Sequence, residues 1–170
     1  GDNDDAEAAP HWIFGTVELT IGGTFTAFDK TYDGNAAATI NNNSLTLVTP
    51  IGGDDVSLTA VAAFSDKNVA AVPKVVNLTG SSLAGSDKDW YTLSFTGAPT
   101  TTADIDALGI TGDFTAPASK VYDGNVSATV LTRTLNGVIS PDVVSLTGGT
   151  ATYNSKDVLT ADTLTLAGAT

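Results

Sequence analysis

The chain carries one pattern twice. Thr24-Phe-Thr-Ala-Phe-Asp-Lys-Thr-Tyr-Asp-Gly-Asn-Ala-Ala-Ala-Thr-Ile40 returns as Asp113-Phe-Thr-Ala-Pro-Ala-Ser-Lys-Val-Tyr-Asp-Gly-Asn-Val-Ser-Ala-Thr-Val130, and the two Tyr-Asp-Gly-Asn cores lie 90 residues apart. The correspondence extends in both directions. Leu19-Thr-Ile21 matches Leu108-Gly-Ile110, Asp55-Val-Ser-Leu-Thr59 matches Val143-Val-Ser-Leu-Thr147, and Ala63-Phe-Ser-Asp-Lys-Asn-Val69 matches Thr152-Tyr-Asn-Ser-Lys-Asp-Val158. A pattern repeated at nearly constant offset means two copies of one folding unit. Each copy must bury its own core, and with no cysteine in the chain it does so without disulfides.

Short apolar segments alternate with turn signals throughout. The alternation is plain in Leu45-Thr-Leu47, Val56-Ser-Leu58, Tyr91-Thr-Leu93-Ser-Phe95 and Leu164-Thr-Leu166. In a strand this spacing puts apolar side chains on one face and Thr or Ser on the other. No stretch keeps a helical period. Ile21-Gly22-Gly23, Asp33-Gly34-Asn35, Asn41-Asn42-Asn43, Ile51-Gly52-Gly53-Asp54-Asp55, Gly80-Ser81-Ser82 and Asn136-Gly137 read as turns. Turn signals this frequent predict an all-β chain of two tandem Ig-like antiparallel β-sandwich domains. The expected division is an acidic leader over 1–11, a first sandwich over 12–105 and a second over 106–170, joined near Ile105 to Ala107. The second copy has no counterpart of Leu83 to Asp104, so it is expected to be the shorter one and to leave a sheet edge open.

The Tyr-Asp-Gly motif has a structural reading. Asp accepts backbone hydrogen bonds and Gly tolerates positive φ, so Asp33-Gly34 and Asp123-Gly124 are expected at tight turns. Tyr32 and Tyr122 would bring a ring to the core and a hydroxyl to the backbone. Lys30 and Lys120, two residues before each Tyr, would lay their stems along the sheet with the amine in water.

The recurring Lys-x-Tyr-Asp-Gly-Asn, each followed by a small-residue run ending Ala-Thr-Ile or Ala-Thr-Val, resembles the YDG/MBG bacterial Ig-like repeats. Phe64-Ser-Asp-Lys-Asn-Val69, Leu83-Ala-Gly-Ser-Asp-Lys-Asp-Trp-Tyr-Thr-Leu93 and Thr102-Ala-Asp-Ile105 follow in the order usual for that family. The resemblance implies tandem β-sandwich modules of large secreted or surface-bound bacterial proteins, often adhesins, and a spacer role instead of catalysis.

Little in the chain promises chemistry. His11 is the single histidine, and there is no Gly-x-Ser-x-Gly elbow, phosphate loop or Gly-x-Gly-x-x-Gly. The pairs Asp54/Asp55, Asp87/Asp89 and Asp104/Asp106 read as turn residues, not as facing catalytic carboxylates. One cofactor is considered, calcium, with Asp54, Asp55, Asp66, Asp87 and Asp89 as candidate oxygen ligands at one end of the first copy. The net charge of −12 argues against nucleic acid and anionic membrane as partners. No apolar run is long enough for a membrane helix. The expected partners are adjacent domains of the same parent chain, and the segment itself is expected to be monomeric. The expectation is a non-enzymatic extender outside the cell or on a bacterial surface, with an anchor placed just before the leader. It would project a domain that binds glycan, protein or ice. The rival is a module that itself binds glycan or protein through its end loops or an open sheet edge.

Overall fold

The computed structural model describes residues 15–170. The leader over 1–11, with His11, and the expected start of the first sandwich at Trp12 lie outside the described residues. The chain divides into two compact units between Asp106 and Ala107. Among the described residues the structure is all β, with a single 3-10 turn at Lys88–Trp90 and no α-helix.

Unit 1 is built from β1 (Val17–Ala27), β2 (Lys30–Thr31), β3 (Ala37–Ala38), β4 (Ile40–Val48), β5 (Ser57–Thr59), β6 (Ala62–Phe64), β7 (Lys74–Asn77), β8 (Ser82–Ala84), β9 (Tyr91–Ser94), β10 (Thr101–Ala103) and β11 (Ile105–Asp106). One sheet runs β4-β1-β9 and another β10-β7-β6-β3, with β11-β2 and β5-β8 as separate pairs. The buried cluster draws Ile21 and Phe25 from β1, Ala62 and Phe64 from β6, Val76 from β7, Ala103 from β10 and Ile105 from β11. Both larger sheets thus face one apolar core. The odd-numbered positions Leu19, Ile21 and Phe25 of β1 are the buried ones, as alternation requires.

Two expected turns are strand instead. Gly22-Gly23 lies inside β1, which runs without a break from Val17 to Ala27. A Cβ on Gly23, whose φ is +83°, would come within 2.1 Å of the Ser44 carbonyl oxygen. Glycine here lets β4 approach closely without ending the strand. Asn41-Asn42-Asn43 lies inside β4, opposite the end of β1. Its side chains are exposed, and Asn42 donates to Thr26 Oγ1 at 3.2 Å from both its backbone N–H and its side-chain amide. Cross-strand hydrogen bonding on a wet face suits these polar residues as well as a turn would.

Purely antiparallel sheets were expected, but two of the pairings are parallel. β9 runs parallel to β1, and β11 runs parallel to β2. Both pairs join strands far apart in the sequence, so no hairpin fixes their direction and a crossover is available. Ile105 and Asp106, expected near the connection, are held in unit 1 as β11.

Unit 2 repeats part of this plan in β12 (Thr111–Thr115), β13 (Ser127–Ala128), β14 (Thr132–Asn136), β15 (Gly148–Tyr153) and β16 (Leu164–Ala169). β12 pairs with β14 as β1 pairs with β4, and β13-β15-β16 repeats β3-β6-β7. Thr147 and Thr170 exchange backbone hydrogen bonds at 2.8 and 3.0 Å, the counterpart of the Thr59–Ser82 pairing in β5-β8. No strand of unit 2 corresponds to β9, β10 or β11. Burial follows from this. All the core residues named above belong to unit 1, whereas Ala151 alone is fully buried among the apolar residues of unit 2.

The two units should therefore respond differently to the same truncation. Phe64→Ala is expected to lower stability by about 3–5 kcal/mol, the cost of a cavity in a filled core. Its counterpart Tyr153→Ala, at a half-buried site, should cost less than about 2 kcal/mol. Urea unfolding of each variant, followed by hydrogen exchange in residues 15–106 and 107–170, measures both. Equal losses would contradict the assignment of the core to unit 1.

Candidate functional site

The repeated motif forms the same polar turn in both units. In unit 1, Gly34 takes φ +83° and in unit 2 Gly124 takes φ +78°. This is the left-handed region that glycine enters without penalty. Asp33 Oδ1 accepts the Asn35 N–H at 3.2 Å, and Asp123 Oδ1 accepts the Asn125 N–H at 3.2 Å. The carbonyl of the next polar side chain closes a second small ring. Asn35 Oδ1 accepts the Ala37 N–H at 2.8 Å, and Asn125 Oδ1 accepts the Ser127 N–H at 2.9 Å. The Ser127 hydroxyl also bonds Asn125 Oδ1.

A lysine fills the middle of each turn. Lys30 Nζ donates to the Asn35 carbonyl at 3.0 Å, to Asn35 Oδ1 at 3.2 Å and to the Ala37 carbonyl at 3.1 Å, and it pairs with Asp33 Oδ1 at 2.7 Å. Lys120 Nζ repeats this toward the Asn125 carbonyl at 3.1 Å, Asn125 Oδ1 at 2.8 Å, the Ser127 carbonyl at 2.8 Å and Asp123 Oδ1 at 2.8 Å. The amine is therefore not in water, as the sequence led one to expect. The Lys30 side chain is only 17% exposed and that of Lys120 26%. A compact ammonium with three donors suits a ring of oxygens arriving from several directions, which a planar guanidinium would not.

Lys30 Nζ also sits 5.8 Å from the Phe64 ring centroid, within reach of a cation–π attraction. The clamp thus rests on the core of unit 1. The chain leaves β2, rounds the clamp and enters β3, which is paired with β6. The clamp fixes that change of partner.

The two tyrosines part company. Tyr32 packs against the core cluster, with the Lys67 ammonium 5.8 Å from its ring centroid. Tyr122, expected to be equivalent, is 60% exposed. The reason lies beside it. β2 is paired with β11, through Lys30 N–H to the Asp104 carbonyl at 3.0 Å and Tyr32 N–H to the Asp106 carbonyl at 2.8 Å. No strand pairs with the Lys120–Tyr122 stretch among the described residues.

Asn35, expected only as part of a turn, and Asn125 prove central to the clamp. The signal was present, since Asn follows Asp-Gly in both copies and Asn commonly bonds the backbone two residues on.

The five calcium candidates fall into three places. Asp54, Asp55 and Asp87 belong to neighbouring loops and bond within them. Asp54 Oδ2 accepts the Tyr91 hydroxyl at 2.6 Å, Asp55 Oδ2 accepts the Ser86 N–H at 3.0 Å, and Asp87 Oδ2 accepts the Asp55 N–H at 2.7 Å. Asp66 is paired with Lys74, and the exposed Asp89 with Lys88 at 2.8 Å. Among the described residues no group of three or more acidic or histidine side chains is placed to hold a metal.

The clamps leave an electrostatic signature. The Lys30 ammonium, then the Asn35 N–H, hold the Asp33 carboxyl below its ordinary value of 3.8. Lys120 does the same for Asp123. Lys74, then the Asn68 N–H, hold Asp66 down in the same way. At Tyr91 the hydrogen bond to Asp54, then burial, push the phenol above 10.0.

A family model described as YDG domain matches residues 16–103 and 106–170, well over half of the chain. No curated protein and no solved structure matches it.

The depressed carboxyls give the acid limb of stability a definite sign. A group whose folded pKa lies below its unfolded one contributes stability that is complete above the unfolded value and is lost as pH falls through the folded one. For Asp33, Asp66 and Asp123 that loss begins below about 3.8. The melting temperature should therefore hold from pH 7 to pH 5 and fall below pH 4. In Lys30→Gln the Asp33 carboxyl should titrate closer to its ordinary value, and the fall should be shallower. A carboxyl resonance of Asp33 that titrates identically with and without Lys30 would contradict the clamp.

Proposed function

The chain belongs to the YDG domain family, and on that footing we propose that it is a non-catalytic extender built from Ig-like β-sandwich modules. Its role would be to hold a neighbouring ligand-binding domain at a distance from an anchor, in a secreted or surface-bound bacterial protein of the adhesin kind. The domain projected would bind glycan, protein or ice, and the partners of this segment would be the adjacent domains of the same chain.

The observation that carries this reading is the recurrence of one clamp in two successive units. Lys30 with Asp33 and Asn35, and Lys120 with Asp123 and Asn125, spend their donors and acceptors on the turn itself. Residues placed identically in both copies and satisfied internally do the work of a repeated building part. The division of the chain into two units fits a row of modules. The excess of negative charge favours modules that stay apart in solution.

A second reading has one observation in its favour. Trp90 is 66% exposed while its neighbour Tyr91 is buried. An exposed indole beside the Lys88–Asp89 ion pair is the kind of surface a sugar ring can stack on.

One experiment separates the two. The full chain is placed between a surface anchor and a reporter binding domain on bacterial cells, and the isolated chain is applied to a glycan array and to cells. The extender reading expects capture of a bulky reporter ligand to increase over direct fusion, with no saturable binding by the isolated chain. Saturable binding that Trp90→Ala removes would overturn it in favour of the binding module.

A further inference from the structure

Tension along the chain enters unit 1 at the start of β1 and leaves past Asp106, the last residue of β11, into unit 2. The entering and leaving strands carry the two parallel pairings. β1 holds β9 from Val17↔Tyr91 to Thr20↔Ser94, and β2 holds β11 from Lys30↔Ile105 to Thr31↔Asp106. In a parallel pair the start of one strand and the end of the other lie at opposite ends of the ladder. The pull reaches β1 at its first residue and β9 from beyond its last. It reaches β2 from the β1 side and β11 from beyond Asp106. Each ladder is therefore dragged lengthwise, and its hydrogen bonds must fail together. An antiparallel pair is different when pulled at the start of one strand and the end of the other, as at Thr20↔Val48 in β1–β4. There both loads act at the same end, and the ladder opens one step at a time.

Side chains reinforce both ladders. Leu19 and Tyr91 in the first, and Ile105 in the second, are buried. Sliding either pair drags these apolar groups out of their packing and toward water. The second ladder is also bracketed by further bonds. The Lys30 N–H reaches the Asp104 carbonyl at 3.0 Å, the Tyr32 N–H reaches the Asp106 carbonyl at 2.8 Å, and the Asp104 N–H donates to Asp29 Oδ1 at 2.7 Å. The Lys30 ammonium ties β2 forward to the carbonyl of Ala37, the first residue of β3. β3 is itself paired with β6. β2 is thus anchored beyond the ladder as well as before it.

We propose that unit 1 bears tension, with β1–β9 and β2–β11 acting as two shear interlocks that keep it folded while the chain is pulled by its ends. The biological setting rests on the extender reading, because a segment between an anchor and a domain holding its target transmits any pull on that target. Reach alone needs no such pairing, since strands joined by hairpins would provide it. Pairing the entering strand with a late one, both running the same way, supplies strength along the chain. Reporter capture on cells measures reach and forced unfolding measures strength, so the two readings fail separately.

The chain has no cysteine, so the direction of pull can be chosen. A Cβ on Gly52 meets nothing within 4 Å, and Gly52→Cys places a handle just past β4. The full chain is held at its N-terminus and pulled either from its C-terminus or from residue 52. The first direction shears both interlocks, and the second unzips β4 from β1. Residues 15–106 and 107–170 are told apart by the length each releases, at most about 330 and about 230 Å at about 3.6 Å per residue. At equal force, unit 1 is expected to unfold at least about tenfold more slowly from the ends than from residue 52, the effect of one or two further hydrogen bonds broken in the same step. Asp29→Ala should speed unfolding from the ends by about threefold or more and leave the residue-52 direction unchanged. Equal rates in the two directions would overturn the proposal. So would an Asp29→Ala effect of the same size in both, which would mean that Asp29 supports the fold and not the interlock.

Discussion

A lysine ammonium enclosed by oxygens is the interaction on which each unit's architecture turns. Lys30 gathers a carboxylate, two carbonyls and an amide oxygen from Asp33, Asn35 and Ala37. With that bundle tied, the chain can leave the β2–β11 pair and enter β3 at the edge of another sheet. Without it, the exposed Asn35 and Ala37 carbonyls would lose the one side-chain donor that ties them together. In unit 2 the same motif leads into β13, which is paired with β15. Glycine supplies the backbone angle, Asp and Asn close the small rings, and Lys fills the centre.

The clamp alone does not make a closed core. Unit 1 owes its buried cluster to strands contributed late in its sequence, since Ala103 and Ile105 arrive after every other member. The same polar turn in unit 2 sits beside a groove instead of a packed strand, and its tyrosine lies at the surface. Local structure is therefore the same in both units while burial differs. Turn chemistry is set by a few adjacent residues, but burial needs partners from far along the chain.

This division explains how much could be read beforehand. The repeat, the all-β character and the glycine turns of the repeated motif were legible because they depend on residue type and spacing. Gly22-Gly23 and Asn41-Asn42-Asn43 misled, because glycine and asparagine serve close strand approach and cross-strand bonding as well as turns. The parallel pairings of β1 with β9 and β2 with β11 were invisible, since alternation fixes which face is buried and not which way a distant partner runs. Within the site, Asp33-Gly34 and Asp123-Gly124 were expected at tight turns, and Gly34 and Gly124 take positive φ there. The enclosure of the ammonium was missed, because lysine is usually solvated and only the fold brings the Ala37 and Ser127 carbonyls to it. The acidic loop residues did not gather into one ligand set, because each found an N–H, hydroxyl or ammonium nearby.

The enclosed ammonium can be observed directly. Lysine side-chain nitrogen spectra of the full chain at acidic pH and low temperature separate ammonium groups whose protons exchange slowly from those in free water. The account predicts slowly exchanging signals from Lys30 and Lys120, with couplings across the hydrogen bonds to the Ala37 and Ser127 carbonyls. Lys88 and Lys156, paired at the surface, should exchange fast. Ammonium protons of Lys30 and Lys120 that exchange as fast as those of Lys88 and Lys156 would contradict it.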